Sequence, residues 1–207
     1  MYFVKTPRIF QSIFKDYIWE IPNRGKTIYV TFDDGPHHEI TPQVLGILDG
    51  YNAKATFFVL GENVAEHPGL IEQIKSRGHS IGSHAFSHLN GWEQATDNYI
   101  KSVEKTDQLI STHFFRPPFG KLKKSQVRKL KKHYDLILWT VMPGDFDRKT
   151  SKEKCLKRAV KNTKEGSIIV FHENNKAREN MLFTLPLFLE HFSKKGFVFK
   201  AIKSEML

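Results

Sequence analysis

TIYVTFDDGP, residues 27–36, is the stretch that decides the fold. Its first six residues are β-branched or aromatic and read as a buried strand. Two adjacent carboxylates, Asp33 and Asp34, then stand where strand becomes loop. In an extended chain neighbouring side chains point to opposite faces, so both reach one site only if the backbone turns there. Gly35-Pro36 supplies such a turn. One carboxylate can then bind a cation while the other stays free for proton transfer. By itself the pair equally describes a turn-forming Asp-Gly.

Outward from this strand, short β-branched or aromatic runs alternate with longer segments of helical period, the pattern of repeated βα units. Further strands are predicted at 55–60, 80–83, 114–116, 135–140, 167–171 and 197–202, making seven. Helices are predicted around 41–51, 63–77, 96–111, 124–132, 151–164 and 179–194. Gly78, Gly166 and Gly196 stand where three of these helices should stop, in the left-handed conformation. The polar residues fall in a telling place: Asp33, Asp34, His84, Arg116 and His172 close strands, and Asp145 follows one. An open doubly wound sheet gathers ligand residues at one switch point, whereas a closed barrel converges all its loops on one mouth. The distribution therefore predicts an α/β fold, a distorted (β/α) barrel of about seven parallel strands.

The chain has 207 residues, 40% of them hydrophobic, enough for one sizeable core. Residues 26–207 form the expected domain and residues 1–25 an arm packed against it. Cys155 is the single cysteine, so the fold does not depend on an oxidising compartment. Lys5, Arg8, Lys15 and Asp16 interrupt any apolar run long enough for a signal peptide or a membrane span. That predicts a cytoplasmic protein, with the cell envelope as the other compartment. The net charge of +10 invites a polyanion, and is densest over 121–132. There, however, Val127, Leu130 and Tyr134 recur at helical spacing between the cations, as on an amphipathic helix with a wet face. No nucleic acid is expected; peripheral contact with an anionic glycan or lipid head group stays open.

Four further motifs carry chemistry. SHAFSH, 83–88, spaces His84 and His88 four apart, so that one helical turn would aim both rings the same way. Two histidines and a carboxylate suit zinc or a similar divalent ion, cobalt or nickel included, with positions left open for water. With ten histidines in the chain, the spacing could also be chance. RPPFG, 116–120, joins a fixed cation to a stiff turn. Arg116 could clamp a carboxylate, and the prolines could hold a peptide N–H toward an oxyanion; alone, the motif is also a surface ion pair on a proline turn. WTVMPGDF, 139–146, places Asp145 beyond a hydrophobic strand, and SIIVFH, 167–172, ends another with His172. A carboxylate on one ring nitrogen would fix the tautomer and raise the basicity of the other, as an acid–base histidine needs.

Together, in this order, these motifs resemble the NodB-type polysaccharide deacetylases, carbohydrate esterase family four, over 27–202. The resemblance implies a distorted barrel and a metal-dependent hydrolase that removes the N-acetyl group of a sugar in peptidoglycan, a chitin-like oligomer or a surface glycan. It implies Asp33 as general base, and Asp34, His84 and His88 as metal ligands. Arg116 would orient Asp33, the Phe119 N–H would help bind the oxyanion, and Asp145 would tether the acid His172. Ala85, Met142 and Phe146 depart from the family pattern. Phe146 stands where the family has a Trp that walls the sugar or acetyl group, which bears on substrate more than on activity. Trp92, Phe86 and Phe119 could stack on a sugar, although large aromatics are more often core. A monomer is expected. Two other classes compete: a non-haem iron oxygenase, which leaves Asp33, Arg116 and the Asp145–His172 pair without a task, and a basic glycan-binding domain without turnover.

Overall fold

The computed structural model describes residues 2–22 and 25–207; of the expected arm, Met1, Asn23 and Arg24 lie outside the described residues. At the centre runs β1 (Thr27–Asp33), buried at every residue. It lies between β2 (Ala55–Val59) and β6 (Ile168–His172), two more apolar runs. Strands covered on both faces have no solvent side, which is why all three read as continuous hydrophobic stretches. Beyond β2 follow β3 (Ser80–Ser83), β4 (Phe114–Phe115) and β5 (Asp135–Leu136), while β7 (Val198–Phe199) pairs with the start of β1. Every pair in the sheet is parallel.

The predicted strand 135–140 is regular only at its start. Its continuation reaches the far edge by a single parallel bridge from Val141 to Ile169. The arm fills the gap below, through Ile18 against Ile137 and Glu20 against Ser167, and its Lys5 pairs with Val141. The sheet thus curls into a distorted barrel. The predicted helix 63–77 is two helices, α3 (Gly61–Glu66) and α4 (Pro68–Ser76), because Pro68 has no N–H to continue the first and starts the second. The strand expected at 197–202 shrinks to β7. A short α1 (Arg8–Ile13) lies in the arm; α2 (Ile40–Gly50), α5 (Thr96–Ile110), α6 (Lys124–Leu130), α7 (Lys152–Asn162) and α8 (Arg178–Ser193) follow close to expectation. In α6, Val127 and Leu130 are buried while Lys124, Arg128 and Lys129 face water.

Strand alternation sets what faces where. Ile28, Val30 and Phe32 pack outward against α2 and α8 through Val44, Leu45, Leu185 and Phe188. Truncating a side chain such as Phe32 to alanine would cost about 3–5 kcal/mol. Tyr29 lies with Phe58, Phe114, Ile137 and Ile168 in the cluster that fills the barrel. Thr31 and Asp33 share its parity, as His172 shares that of Ile168. Register pairs Asp33 directly with His172 on the neighbouring strand.

Candidate active site

The site is built on Arg116, which is fully buried, not a surface ion pair. One terminal nitrogen donates to Asp33 Oδ1 and to Thr31 Oγ1, each at 2.7 Å. The other donates to Leu138 O at 3.0 Å, and Nε to Ile137 O at 3.1 Å. Its guanidinium lies 3.9 Å from the Phe58 ring centroid. A guanidinium so held is unable to reach a substrate; it fixes Asp33 and closes the floor of the barrel. Removing it would strand a buried carboxylate, at about 3–5 kcal/mol.

Asp34 turns the other way because the backbone reverses at Asp34 itself, whose φ is 73°. A non-glycine residue in the left-handed region is uncommon and here is clamped. Asn63 donates to its carbonyl and Asn174 to its Oδ2, both at 2.7 Å. Oδ1 is left buried with no hydrogen-bond partner among the described residues. It lies 3.6 Å from His84 Nε2 and 3.4 Å from His88 Nε2. One ligand atom from each of the three residues falls within 4.8 Å of the others.

The histidines converge without the helical turn that their spacing suggested. Residues 84–88 are a loop, and Ala85 has φ 65°. The chain leaves β3, kinks at Ala85 and returns, which brings the ring centroids to 5.3 Å. His84 Nδ1 lies 2.7 Å from Arg116 O. A carbonyl only accepts, so Nδ1 carries the proton and Nε2 presents its lone pair. Burial, against the pull of Asp33 and Asp34, lowers the His84 pKa and favours the neutral ring that a metal needs. Burial alone would raise Asp34, but His172, His84, His88 and the Asn174 amide outweigh it and hold the carboxyl below its usual range. A buried oxygen without a partner, facing two imidazole nitrogens, fits a divalent cation by donor chemistry.

The opposite wall is saturated. Asp145 accepts from the His172 backbone N–H at 2.7 Å and lies 3.0 Å from its Nδ1. Burial opposes the charged ring, yet Asp145, with Asp34 and Asp33 behind it, raises the His172 pKa to about 9. Phe146 meets the His172 ring edge-on at 4.8 Å. Phe119 sits 4.5 Å from the His88 ring, with φ 60° and 56% of its surface exposed. Trp92 is exposed as well, so these two aromatics are not core.

Several residues escaped sequence reasoning. Thr31 lay inside the opening stretch without a role, and Asn63 and Asn174 had no motif of their own, although Asn174 lies two residues past His172. Glu173 is buried beside Gly35, where a Cβ would collide with its carboxylate. Neither of its oxygens has a hydrogen bond of good geometry among the described residues. Burial, against Thr41 and with Asp34, pushes its pKa up to about 8.

The profile of the polysaccharide deacetylase family matches residues 20–136. A peptidoglycan-N-acetylglucosamine deacetylase of Bacillus cereus is 34% identical over 196 residues, spanning 91% of this chain and 92% of that protein. A chitooligosaccharide deacetylase of Azorhizobium caulinodans is 33% identical over 162 residues, 74% of this chain and 76% of that one. Among solved structures, a peptidoglycan N-acetylglucosamine deacetylase in complex with a naphthalenyl N-oxidanyl-benzamide superposes with a TM-score of 0.88 at 28% identity, covering 98% of this chain and 97% of that one.

Proposed function

The chain belongs to the polysaccharide deacetylase family, and we propose that it hydrolyses the N-acetyl group of N-acetylglucosamine units in a glycan, with peptidoglycan as the first substrate to test. The observation that carries this reading is the division of labour between Asp33 and Asp34. Asp33 is tied to Arg116, whereas Asp34 turns an unpartnered oxygen toward two imidazoles.

Asp34, His84 and His88 would hold a divalent ion, zinc first and cobalt or nickel as substitutes. Bound there, the ion supplies Lewis acidity for the acetamide carbonyl and makes a water more acidic. Asp33, its Oδ1 fixed by Arg116, takes the proton of the attacking water at Oδ2. The Phe119 N–H, on the left-handed turn of RPPFG, would help bind the developing oxyanion. The carbon–nitrogen bond breaks only when the amine is protonated, and His172 Nε2 gives that proton. Asp145 on Nδ1 keeps the ring charged until then. Acetate and a free amine leave. Phe146 and Phe119 would wall the acetyl group and the sugar on either side.

The test is acetate release from N-acetylglucosamine oligomers and peptidoglycan fragments, with chelator and with added zinc or cobalt. Release that stops on chelation and returns with metal is expected. A folded, metal-loaded protein that releases none from any of these would overturn the reading and favour a glycan-binding domain of the same fold.

A further inference from the structure

Among the described residues, five of the twelve exposed large hydrophobic side chains belong to one short segment of the arm: Phe3, Ile9, Phe10, Ile13 and Phe14. Helix α1, which carries three of them, buries no residue. The rings form a continuous file, Phe3 to Phe10 at 5.4 Å, Phe10 to Phe14 at 6.3 Å, Phe14 to Tyr17 at 6.4 Å and Tyr17 to Trp19 at 6.0 Å. This concentration is not fraying. The Thr6 N–H donates to Thr140 O on one side of α1, and the Ile18 N–H to Leu136 O on the other. A contiguous apolar surface held out by fixed backbone marks a contact with something.

Charge says what. Lys5, Arg8 and Lys15 are exposed around the patch, and none is ion-paired among the described residues. The two carboxylates nearest in sequence are already neutralised, Asp16 by Lys131 at 2.8 Å and Glu20 by Lys164 at 3.0 Å. A second copy would bring the same three cations, and another net charge of +10, against this face. A sugar-binding platform would put aromatic faces outermost, yet here the outermost groups are the aliphatic tips of Ile9 and Ile13, 65% and 66% exposed. Aliphatic and phenyl groups at the tip, Tyr17 and Trp19 behind them, and cations at the rim are the order of groups across a lipid–water boundary.

We propose that the arm face of Phe3, Ile9, Phe10, Ile13 and Phe14, rimmed by Lys5, Arg8 and Lys15, docks on an anionic phospholipid surface. The apolar tips enter the head-group and acyl boundary while the three cations meet lipid phosphates. Because Tyr2 packs on Phe146 at 5.1 Å and donates to Asp147, the patch begins beside the barrel mouth. Docking there holds the mouth close to the lipid surface.

The test is co-sedimentation of the full chain with vesicles of phosphatidylglycerol in phosphatidylcholine, against phosphatidylcholine alone. Binding to the anionic vesicles that weakens with salt is expected, with little to the neutral ones. Ile9→Ser with Ile13→Ser should lower binding at least about tenfold, and Lys5→Gln, Arg8→Gln and Lys15→Gln about fivefold for each charge removed. Both sets are at exposed positions and should keep the wild-type Tm and acetate release from a soluble oligomer. Failure of the wild type to bind anionic vesicles, equal binding by the variants, or a dimer in light scattering that the serine variant dissolves would each overturn the proposal.

Discussion

The two walls of the barrel mouth solve opposite problems. On the β1–β3 wall, Asp34, His84 and His88 gather polar atoms and leave one buried oxygen without a partner. On the β6 wall, Asp145 accepts from both the backbone and the ring of His172. A site meant for an ion must withhold internal hydrogen bonds, whereas a group meant to carry a proton must have its tautomer and pKa fixed in advance. Arg116 stands between them, with its fork divided among Asp33, Thr31 and the carbonyls that follow β5.

The sharpest way to break the contrast is on the open wall. Replacing His84 by Ala should remove both metal binding, measured by metal content after dialysis, and detectable acetate release; a variant that keeps its metal would refute this wall as the ligand set. Next comes Asp33→Asn, which should lower kcat by about 10²–10⁴ while metal content stays at the wild-type level. Retained turnover would remove Asp33 from the role of base.

On the saturated wall the effect is a shift of pH profile. His172 acts as an acid while protonated, so activity should fall as pH rises through about 9. Asp145→Asn should move that limb to lower pH, as seen in kcat against pH. The sign carries over to stability: a folded pKa of about 9 against 6.5 means that the stabilisation is complete below pH 6.5 and lost through pH 9. An unmoved limb would show that Asp145 does not set this acid. Asn174→Ala should weaken metal affinity about 10–100-fold, read by competition with a chelating dye, because the Asp34 carboxylate then loses its anchor.

The smallest effect on catalysis is expected at Glu173, which is buried beside Gly35. Its pKa, raised from 4.5 to about 8, means that stability is full below pH 4.5 and declines toward pH 8. Glu173→Gln should flatten the dependence of Tm on pH over that range; an unchanged slope would place its ionisation elsewhere.

Much of this contrast was legible in the chain. Asp33 and His172 share a site because each ends an apolar strand with inward parity, and alternation alone carries that far. Periodicity misled at His84 and His88, where a spacing of four stood for a loop kinked at Ala85 and not for a helix. It was silent on Asn63, Asn174 and Glu173, which act through neighbours distant in sequence. For Trp92 and Phe119 the chain left stacking on a sugar and packing in the core both open, and their exposure removes the core alternative; burial depends on what packs above a residue, which hydrophobicity does not encode.

By itself the sequence determined the βα repeat, the strand ends that carry chemistry and the family to which they belong, since these rest on local alternation and short motifs. Only the tertiary structure decided that Arg116 is buried, that one oxygen of Asp34 goes unpartnered and that α1 stands exposed. Each of these is a property of enclosure. Burial, desolvation and the saturation of a hydrogen bond depend on groups far apart in sequence that the curled sheet brings together.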